Sequence, residues 1–241
     1  MSAAADPAAD PRRGGEIVES LREIGIEAFT TGRAVGSFGT QSDEPVREVM
    51  GRWSALRASL GGSARLATAT QVHGNVLLEH EGEWRGWLRC DAADGHLSTK
   101  PRTAMAVTVA DCVPVFIGHP SGAGAVLHSG WRGTAARITS VAISRLSALG
   151  FAPSELRVHC GPAICGRCYE VSGDVAAQLT GQDHTGPAHV DLRALIAAHA
   201  REQGVRDVSI SPLCTRCDND RFYSHRAGDA GRQLGVLVTR S

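Results

Sequence analysis

The chain has 241 residues, of which 42% are apolar and 21% are charged, and its 25 Lys and Arg residues balance its 25 Asp and Glu residues. This composition is typical of a globular protein and excludes an intrinsically disordered one. Because the formal net charge is zero, we expect neither a nucleic acid nor a membrane surface as partner. The sequence contains no apolar run of about 18 residues, so we expect no membrane span.

The N-terminal segment MSAAADPAADPRRGG lacks the apolar stretch of a secretory signal. We therefore predict a disordered N-terminal extension over residues 1–24 and a single domain over residues 25–241, located in the cytoplasm. Structural disulfides are rare in that reducing compartment, so the seven cysteines should be thiols or metal ligands.

The predicted strands and helices mix without strict alternation, which favours a mixed β-sheet over a doubly wound parallel one. The first strand covers Ile26–Thr30. A helix follows, with apolar residues at helical spacing from Val46 to Leu60, with Ser42 before its start and Gly61-Gly62 at its end. Further strands are predicted over Arg65–Thr70, Asn75–His80, Ala104–Ala110, Ala123–His128, Leu156–Cys160, Val205–Ser211 and Gln233–Thr239. Further helices are predicted over Gly133–Leu149 and from Asp191 to Gly204.

Three residues with reactive side chains fall at or just beyond the ends of predicted strands: His73 in TQVHG, Cys112 in ADCVP and His128 in HSGWRG. Loops at strand ends are where such side chains converge on a rigid scaffold. Two imidazoles and a thiolate suit zinc, and three protein ligands leave the fourth position for water or substrate, as in catalytic sites. Their wide spacing matches no local metal motif, so a buried thiol with two hydrogen-bonded histidines is the alternative interpretation.

The glycine-rich stretch after His128 predicts an anion-binding turn. It leads from Gly130 into a predicted helix, whose first N–H groups and partial positive charge attract anions. Arg132 would add bidentate donors for phosphate, although a surface arginine beside a turn is the simpler alternative. Asp111, next to Cys112, is grouped with the substrate-binding residues; it would orient a ligand histidine or cap a turn.

Two Cys-x2-Cys pairs stand outside this group, Cys165 with Cys168 and Cys214 with Cys217. Two such pairs can hold a structural zinc ion. The 45 residues that separate the pairs are many for a zinc ribbon. Unpaired, partly buried thiols are therefore the favoured interpretation, and a second zinc ion is the alternative.

A series of specific motifs runs from about Phe29 to the C-terminus: TQVHG, ADG, ADCVPV, HSGWRGTAA, GPAICGRCYEV, and CT followed by FYSHR and GR. In this order they resemble the YfiH-like proteins, also called laccase-domain, multicopper polyphenol oxidase-like or peptidoglycan editing factor proteins. The resemblance implies a single α+β domain, an α/β sandwich with mixed β-sheets. It also implies a zinc-dependent enzyme that phosphorolyses adenosine, inosine, guanosine and methylthioadenosine, with adenosine deamination as a further activity.

The resemblance also implies roles for individual residues. His73, Cys112 and His128 would be the zinc ligands. Arg52, in GRWSAL, would contact phosphate or substrate, and Gly51 stands where the family usually has the Asn of an Asn-Arg pair. Together with Arg132, Arg52 would hold phosphate for attack on the ribose of a purine nucleoside, so that nucleoside and phosphate are the expected partners.

The chain departs from the family pattern in ways that bear on its chemistry. The family's early glycine-rich segment shrinks to TTGRAVGSFGTQSDEP, which bears on the substrate pocket. The family usually supplies only the counterparts of Cys168 and Cys214, which weighs against a second zinc ion. The ten histidines contain no His-x-His pair, so oxidation of phenols by several coppers is not expected.

Two other function classes stay open. Cys112 with His128 could act as nucleophile and base in a metal-free hydrolase or deamidase, with a peptidoglycan precursor as substrate. A non-enzymatic partner of envelope or division machinery is the other class. A scaffold would not need two imidazoles and a thiolate at strand ends, so the sequence favours chemistry.

Overall fold

The computed structural model describes residues 10–40, 44–60 and 65–240, so the predicted helix signals at Ser42 and Gly61-Gly62 lie outside the described residues. The strands are β1 (Glu16–Ile17), β2 (Glu27–Thr30), β3 (Arg65–Ala69), β4 (Leu77–Glu79), β5 (Trp87–Cys90), β6 (Gly95–Ser98), β7 (Thr103–Val109), β8 (Val113–Gly118), β9 (Gly124–Ser129), β10 (Arg157–Cys160), β11 (Glu170–Val171), β12 (Ala188–His189), β13 (Asp207–Ile210) and β14 (Gln233–Val238). The helices are α1 (Glu19–Arg22), α2 (Val46–Ser59), α3 (Trp131–Ala135), α4 (Ile138–Ala148), α5 (Gly173–Thr180) and α6 (Leu192–Glu202).

Two six-stranded sheets, each mixing parallel and antiparallel pairs, form the centre of the fold. The first sheet has the order β1-β2-β14-β7-β3-β5 and the second has the order β13-β10-β8-β9-β6-β4. Strands β11 and β12 form a separate antiparallel pair, with α5 between them in the chain. The predicted sandwich with mixed sheets is therefore confirmed.

Because side chains alternate between the two faces of each strand, the buried apolar residues form three separate clusters, one between the sheets and one on the outer face of each sheet. Along β7, Met105 and Val107 face the second sheet, whereas Ala104 and Ala106 face α2 on the outside of the first sheet. Helices α4 and α6 cover the outer face of the second sheet, where their side chains pack on β8 and β9. The order of layers is thus helix, sheet, sheet, helices.

Three connections cross from the first sheet to the second at one end of the sandwich. Strand β3 pairs in parallel with both β5 and β7, so the carboxyl ends of all three lie at the same edge. Each of these strands is followed by a strand of the other sheet, β4, β6 and β8 respectively. The connecting residues 70–76, 91–94 and 110–112 therefore meet where the two sheets adjoin.

The N-terminal extension predicted over residues 1–24 is wrong for part of its length. Ile17 pairs with Phe29 of β2, and α1 follows at once. Val18 and Leu21 are 1% and 0% exposed, because both pack into the core between the sheets. This burial of apolar side chains explains why the segment is part of the domain.

The helix predicted over Gly133–Leu149 is also different in the structure. It is two helices, α3 and α4, separated at Arg137, whose backbone has a left-handed φ of 56°. Strands β5, β6 and β8 and helix α5 were not predicted. Strand β8 is fully buried despite Pro114, whose carbonyl accepts a hydrogen bond from the Gly161 N–H at 2.9 Å. In the part of the chain that the structure describes, no helix is both long and apolar enough to span a membrane.

Candidate functional site

The three residues singled out as metal ligands, His73, Cys112 and His128, converge where the sheets adjoin. We call them the His–Cys–His trio. One donor atom from each lies within 4.8 Å of the others, so the three could share one ion. The rings of His73 and His128 stand nearly perpendicular, with their centroids 4.7 Å apart. His73 is exposed, Cys112 is half-buried and His128 is buried, so the site is open to solvent on one side.

The crossing connections place the trio. His73 lies in the connection after β3 and Cys112 lies in the turn after β7, whereas His128 belongs to β9 of the second sheet. His73 has a φ of 61° and Asp111, just before Cys112, has a φ of 82°. Both angles fall in the left-handed region that residues other than glycine rarely adopt, and such strain is often found at functional sites.

Asp94, which the sequence reasoning missed, orders two members of the trio. Its carboxylate is fully buried, and its Oδ1 lies 2.8 Å from His128 Nδ1 and accepts a hydrogen bond from the His73 N–H at 2.9 Å. Its Oδ2 accepts from the N–H groups of Val72 and Gly74 at 3.2 and 2.7 Å. Because Nδ1 of His128 donates to Asp94, Nε2 is left to face the other trio members. The signal was the ADG motif, in which Asp94 directly precedes β6.

The electrostatics of the trio favour a thiolate. Burial opposes ionisation of Cys112, but the charge of His128 and hydrogen bonds from both histidines lower the pKa of Cys112 to about 6. Burial also opposes the charged form of His128, yet the Cys112 thiolate and the Asp94 carboxylate raise its pKa to about 9. The sulfur is thus prepared in the form that binds metals and attacks electrophiles.

Gly130 lets the backbone approach the trio closely. A Cβ added there would lie 2.9 Å from the Cys112 Sγ and 3.3 Å from the His73 Cδ2. Both distances are shorter than an ordinary van der Waals contact. Glycine at position 130 therefore keeps space beside the donor atoms.

A cavity of about 710 Å³ lies beside the trio, and all three members line it. Its wall includes Trp53 and Trp87, whose rings stack with centroids 4.7 Å apart and an angle of 25° between planes. An aromatic wall with polar groups opposite is typical of a site for a flat, partly polar ligand.

Two arginines line the cavity, and sequence reasoning pointed to neither. Arg232 donates to the carbonyls of Gly231 and Ala230 at 2.7 and 3.0 Å, so its guanidinium is held by backbone. The side chain of Arg89 on β5 is exposed and, within the described ranges of the chain, makes no hydrogen bond or ion pair. Arg89 is therefore the cation that a bound anion would meet.

The two arginines that were predicted to hold phosphate do not line the cavity. Arg52 donates from Nε to the Ser37 carbonyl at 2.6 Å and pairs with Glu44, so it fastens a loop instead. Arg132 lies 4.2 Å from the ring centroid of Trp131, at the start of α3. Helix α3 has only five residues, so its dipole is weaker than that of the longer helix on which the predicted anion-binding turn depended.

Asp111 takes the second of the two roles predicted for it, that of fixing a turn. Its Oδ1 accepts from the Thr215 hydroxyl at 2.6 Å, and its Oδ2 accepts from the Arg226 N–H at 2.7 Å. The carboxylate thus fixes the turn before Cys112 and does not orient a histidine. Asp94 performs that task.

The structure also brings together the two Cys-x2-Cys pairs, far apart in sequence. Sγ atoms of all four cysteines lie within 4.8 Å of one another. We call this group the four-cysteine cluster, comprising Cys165, Cys168, Cys214 and Cys217.

Comparison with known proteins finds similar sequences and a similar structure. A family model described as multi-copper polyphenol oxidoreductase laccase matches residues 22–240. The chain is 32% identical over 207 residues to "Purine nucleoside phosphorylase ORF3" of Streptomyces griseus, an alignment that covers 83% of this chain and 84% of that protein. It is 35% identical over 150 residues to "Adenosine deaminase RL5" of an unknown prokaryotic organism, covering 56% and 55%. The crystal structure of Bacillus licheniformis hypothetical protein YfiH superposes with a TM-score of 0.84 at 21% identity, over 94% of this chain and 96% of that one.

Proposed function

The chain belongs to the YfiH-like family of multi-copper polyphenol oxidoreductase laccase proteins, and on this premise we propose that it is a zinc-dependent purine nucleoside phosphorylase. Its substrates are adenosine, inosine, guanosine or methylthioadenosine together with phosphate, and adenosine deamination is a further activity. The observation that carries the proposal is the convergence of His73, Cys112 and His128 beside a cavity of suitable size. The names of the sequence relatives support the substrate class.

The donor set of the trio fits zinc. His73 and His128 would supply neutral imidazole nitrogens, and Cys112 would supply a thiolate, because a bound zinc ion itself favours loss of the thiol proton. When bound, zinc supplies Lewis-acid chemistry, which polarises oxygen and lowers the pKa of water. Asp94 holds His128 in the orientation that this role requires.

The cavity suggests how the chain's own residues bind the substrates. The purine would lie against the aromatic wall formed by Trp53 and Trp87, where flat rings gain stacking contacts. Arg89 would hold phosphate through charge-assisted hydrogen bonds, in place of Arg52 and Arg132. Fixing the nucleoside and phosphate side by side supplies much of the rate of a two-substrate reaction.

The direct test is product profiling by mass spectrometry with purified protein, adenosine or inosine, with and without phosphate. Phosphorolysis yields the free base and ribose 1-phosphate only with phosphate, whereas deamination converts adenosine to inosine without it. His73→Ala and Cys112→Ala should lose turnover, and Cys90→Ser, at a half-buried cysteine outside the site, should retain it. Unchanged phosphate-dependent turnover in Cys112→Ala would contradict the assignment.

One observation favours a second candidate, a metal-free hydrolase or deamidase. Cys112, His128 and Asp94 are arranged as a nucleophile, a base and a group that orients the base. In that case metal-free protein stays active, and a covalent intermediate on Cys112 can be trapped. Zinc that copurifies with the protein, activity lost on chelation and restored by zinc, and no trapped thioester favour the phosphorylase.

The residues do not favour the copper chemistry in the family description. In the described ranges, only two groups of three or more potential ligands come together, the trio and the four-cysteine cluster. A multicopper oxidase needs a larger set of histidines. The proposal assigns the enzyme to the reducing cytoplasm, since no disulfide joins any of the seven cysteines.

A further inference from the structure

The four-cysteine cluster lies at the junction of two loops. Cys165 and Cys168 belong to the loop after β10, and Cys214 and Cys217 belong to the loop after β13. A parallel β-bridge joins Ala163 to Cys214, and it holds the two loops side by side. Two segments about fifty residues apart in sequence thus present one sulfur pair each to a common point.

The sulfur separations suit a shared ion better than a disulfide. The Sγ atoms of Cys168 and Cys217 lie 3.5 Å apart, and all four sulfurs lie within 4.8 Å of one another. Zn–S bonds of about 2.3 Å in a tetrahedron put sulfurs roughly 3.8 Å apart. A disulfide needs an S–S distance of about 2.05 Å, much shorter than the distance between the Cys168 and Cys217 sulfurs.

Backbone N–H groups are directed at the first sulfur of each pair. The Cys165 N–H donates to the Cys214 Sγ at 3.2 Å. The N–H groups of Arg167 and Cys168 are directed at the Cys165 Sγ in the same way. Such donors stabilise negative sulfur, which is the state of a metal-bound cysteine.

Positive charge flanks the cluster on both loops. Arg167 lies between the cysteines of the first pair and Arg216 between those of the second, where Arg216 Nη1 approaches the Cys168 carbonyl at 3.4 Å. A zinc ion with four thiolates carries a net charge of −2, which these two guanidinium groups would offset.

We propose that Cys165, Cys168, Cys214 and Cys217 bind a structural zinc ion, distinct from the ion assigned to the His–Cys–His trio. With four protein ligands the site is closed, so it takes no substrate. Cys165 and Cys217, for which the family usually has no counterpart, complete the set of four ligands.

The second ion would also steady the turn that carries Cys112. Thr215, next to Cys214, donates its hydroxyl to Asp111, and the Ile164 N–H donates to the Asp111 carbonyl at 3.1 Å. Asp111 directly precedes Cys112. Cys214 is therefore linked to the turn that carries Cys112 through its neighbour Thr215 and one hydrogen bond. A zinc ion in the cluster would help to position Cys112 in this way.

The primary test is zinc per chain in protein purified without chelator, measured by mass spectrometry. We expect about two equivalents in the wild type and in the control Cys90→Ser, and about one in Cys112→Ser and in a Cys168→Ser/Cys217→Ser double variant. One equivalent in the wild type that Cys112→Ser removes would overturn the second site. One equivalent retained in Cys112→Ser and lost in the double variant would support the second site while overturning the first.

Cobalt spectroscopy keeps the test valid even if the double variant does not fold. Cys112→Ser loaded with Co²⁺ should show the intense sulfur-to-cobalt charge-transfer bands of a four-thiolate site. Their absence would overturn the proposal. Counting thiols in denatured, chelated protein without reductant should give all seven; five would indicate a disulfide within the cluster and would also overturn it.

Discussion

Asp94 carries more of the candidate site than its small side chain suggests. Its carboxylate accepts a hydrogen bond from Nδ1 of His128. It also accepts hydrogen bonds from three consecutive backbone N–H groups in the connection that contains His73. Since burial would otherwise favour its neutral form, the hydrogen bonds from His128 and from the backbone are what lower the pKa of Asp94. A single negative charge thus orients the imidazole of His128 and fixes the backbone that carries His73.

Asp94→Asn tests this role. The amide keeps the shape of the side chain but cannot serve as a charged acceptor, so we expect zinc affinity to fall about 10- to 100-fold. Competition with a chromophoric chelator measures that affinity. Asp91→Asn, an exposed carboxylate in the same connection, is the matched control and should bind zinc like the wild type. Equal affinity in both variants would show that Asp94 has no part in metal binding.

Arg89 is the side chain on which phosphate binding is expected to depend. Losing a charge-assisted hydrogen bond of about 1.5–3 kcal/mol should raise the KM for phosphate by about tenfold or more in Arg89→Ala. The KM for nucleoside should change much less, and Arg89→Lys should recover part of the loss. Steady-state kinetics with varied phosphate measure both constants. The nearby exposed Arg85→Ala is the control, and an unchanged phosphate KM in Arg89→Ala would remove this residue from the proposal.

At the scale of elements, the break between α3 and α4 is the least regular feature of the helical layer. Arg137 adopts φ 56° and ψ 42°, a left-handed conformation that disfavours any residue with a Cβ. Its side chain pairs with Glu202 at the surface, where such pairs contribute little. The conformation is therefore imposed by the packing of the two helices on the second sheet.

Glycine at this position should relieve the strain. Arg137→Gly and Arg137→Ala both remove the ion pair, but only glycine accepts the left-handed backbone freely. We expect Arg137→Gly to be more stable than Arg137→Ala by about 1 kcal/mol. Chemical unfolding of the two variants measures the difference. If alanine proved as stable as glycine, the backbone at residue 137 would not be strained in solution.

At the scale of the whole molecule, a buried histidine pair links stability to pH. His80 Nε2 and His96 Nδ1 lie 2.9 Å apart, and His96 is fully buried. Burial, together with the nearby charge of His80, lowers the pKa of His96 to about 3 from the ordinary 6.5. Burial lowers the pKa of His80 as well. Below pH 6.5 the unfolded chain therefore binds protons that the folded protein does not.

The free energy of unfolding should thus fall as pH falls from about 6.5, by up to about 1.4 kcal/mol per pH unit for a single such histidine. Above pH 6.5 both states are neutral at this position, so the pair contributes no slope. Urea unfolding between pH 7 and pH 5 should show a smaller slope in His96→Gln than in the wild type. His189→Gln, at an exposed histidine, should keep the wild-type slope. Identical slopes in all three proteins would contradict the argument.

The sequence predicts the local elements and the residues of the trio better than it predicts how they are connected in space. Most strands were found from apolar runs, and the motifs identified the fold. The parallel pairing of β3 with β5 and β7 has no local signal, and β8 was missed because Pro114 interrupts its pattern. The contacts of Arg52 with Ser37 and Glu44 have no local signal either, because tertiary packing sets them.

The crossing connections couple the geometry of the trio to the alignment of the two sheets. His73 and Cys112 sit on segments that are anchored in both sheets, whereas His128 is fixed in only one. If one sheet slid over the other, the three donor atoms of the trio would move apart. A metal ion bound by all three donor atoms would oppose that movement. Binding of the metal should therefore slow amide hydrogen exchange in strands of both sheets, including strands far from the ion. Removal of the metal should speed exchange along the whole interface between the two sheets.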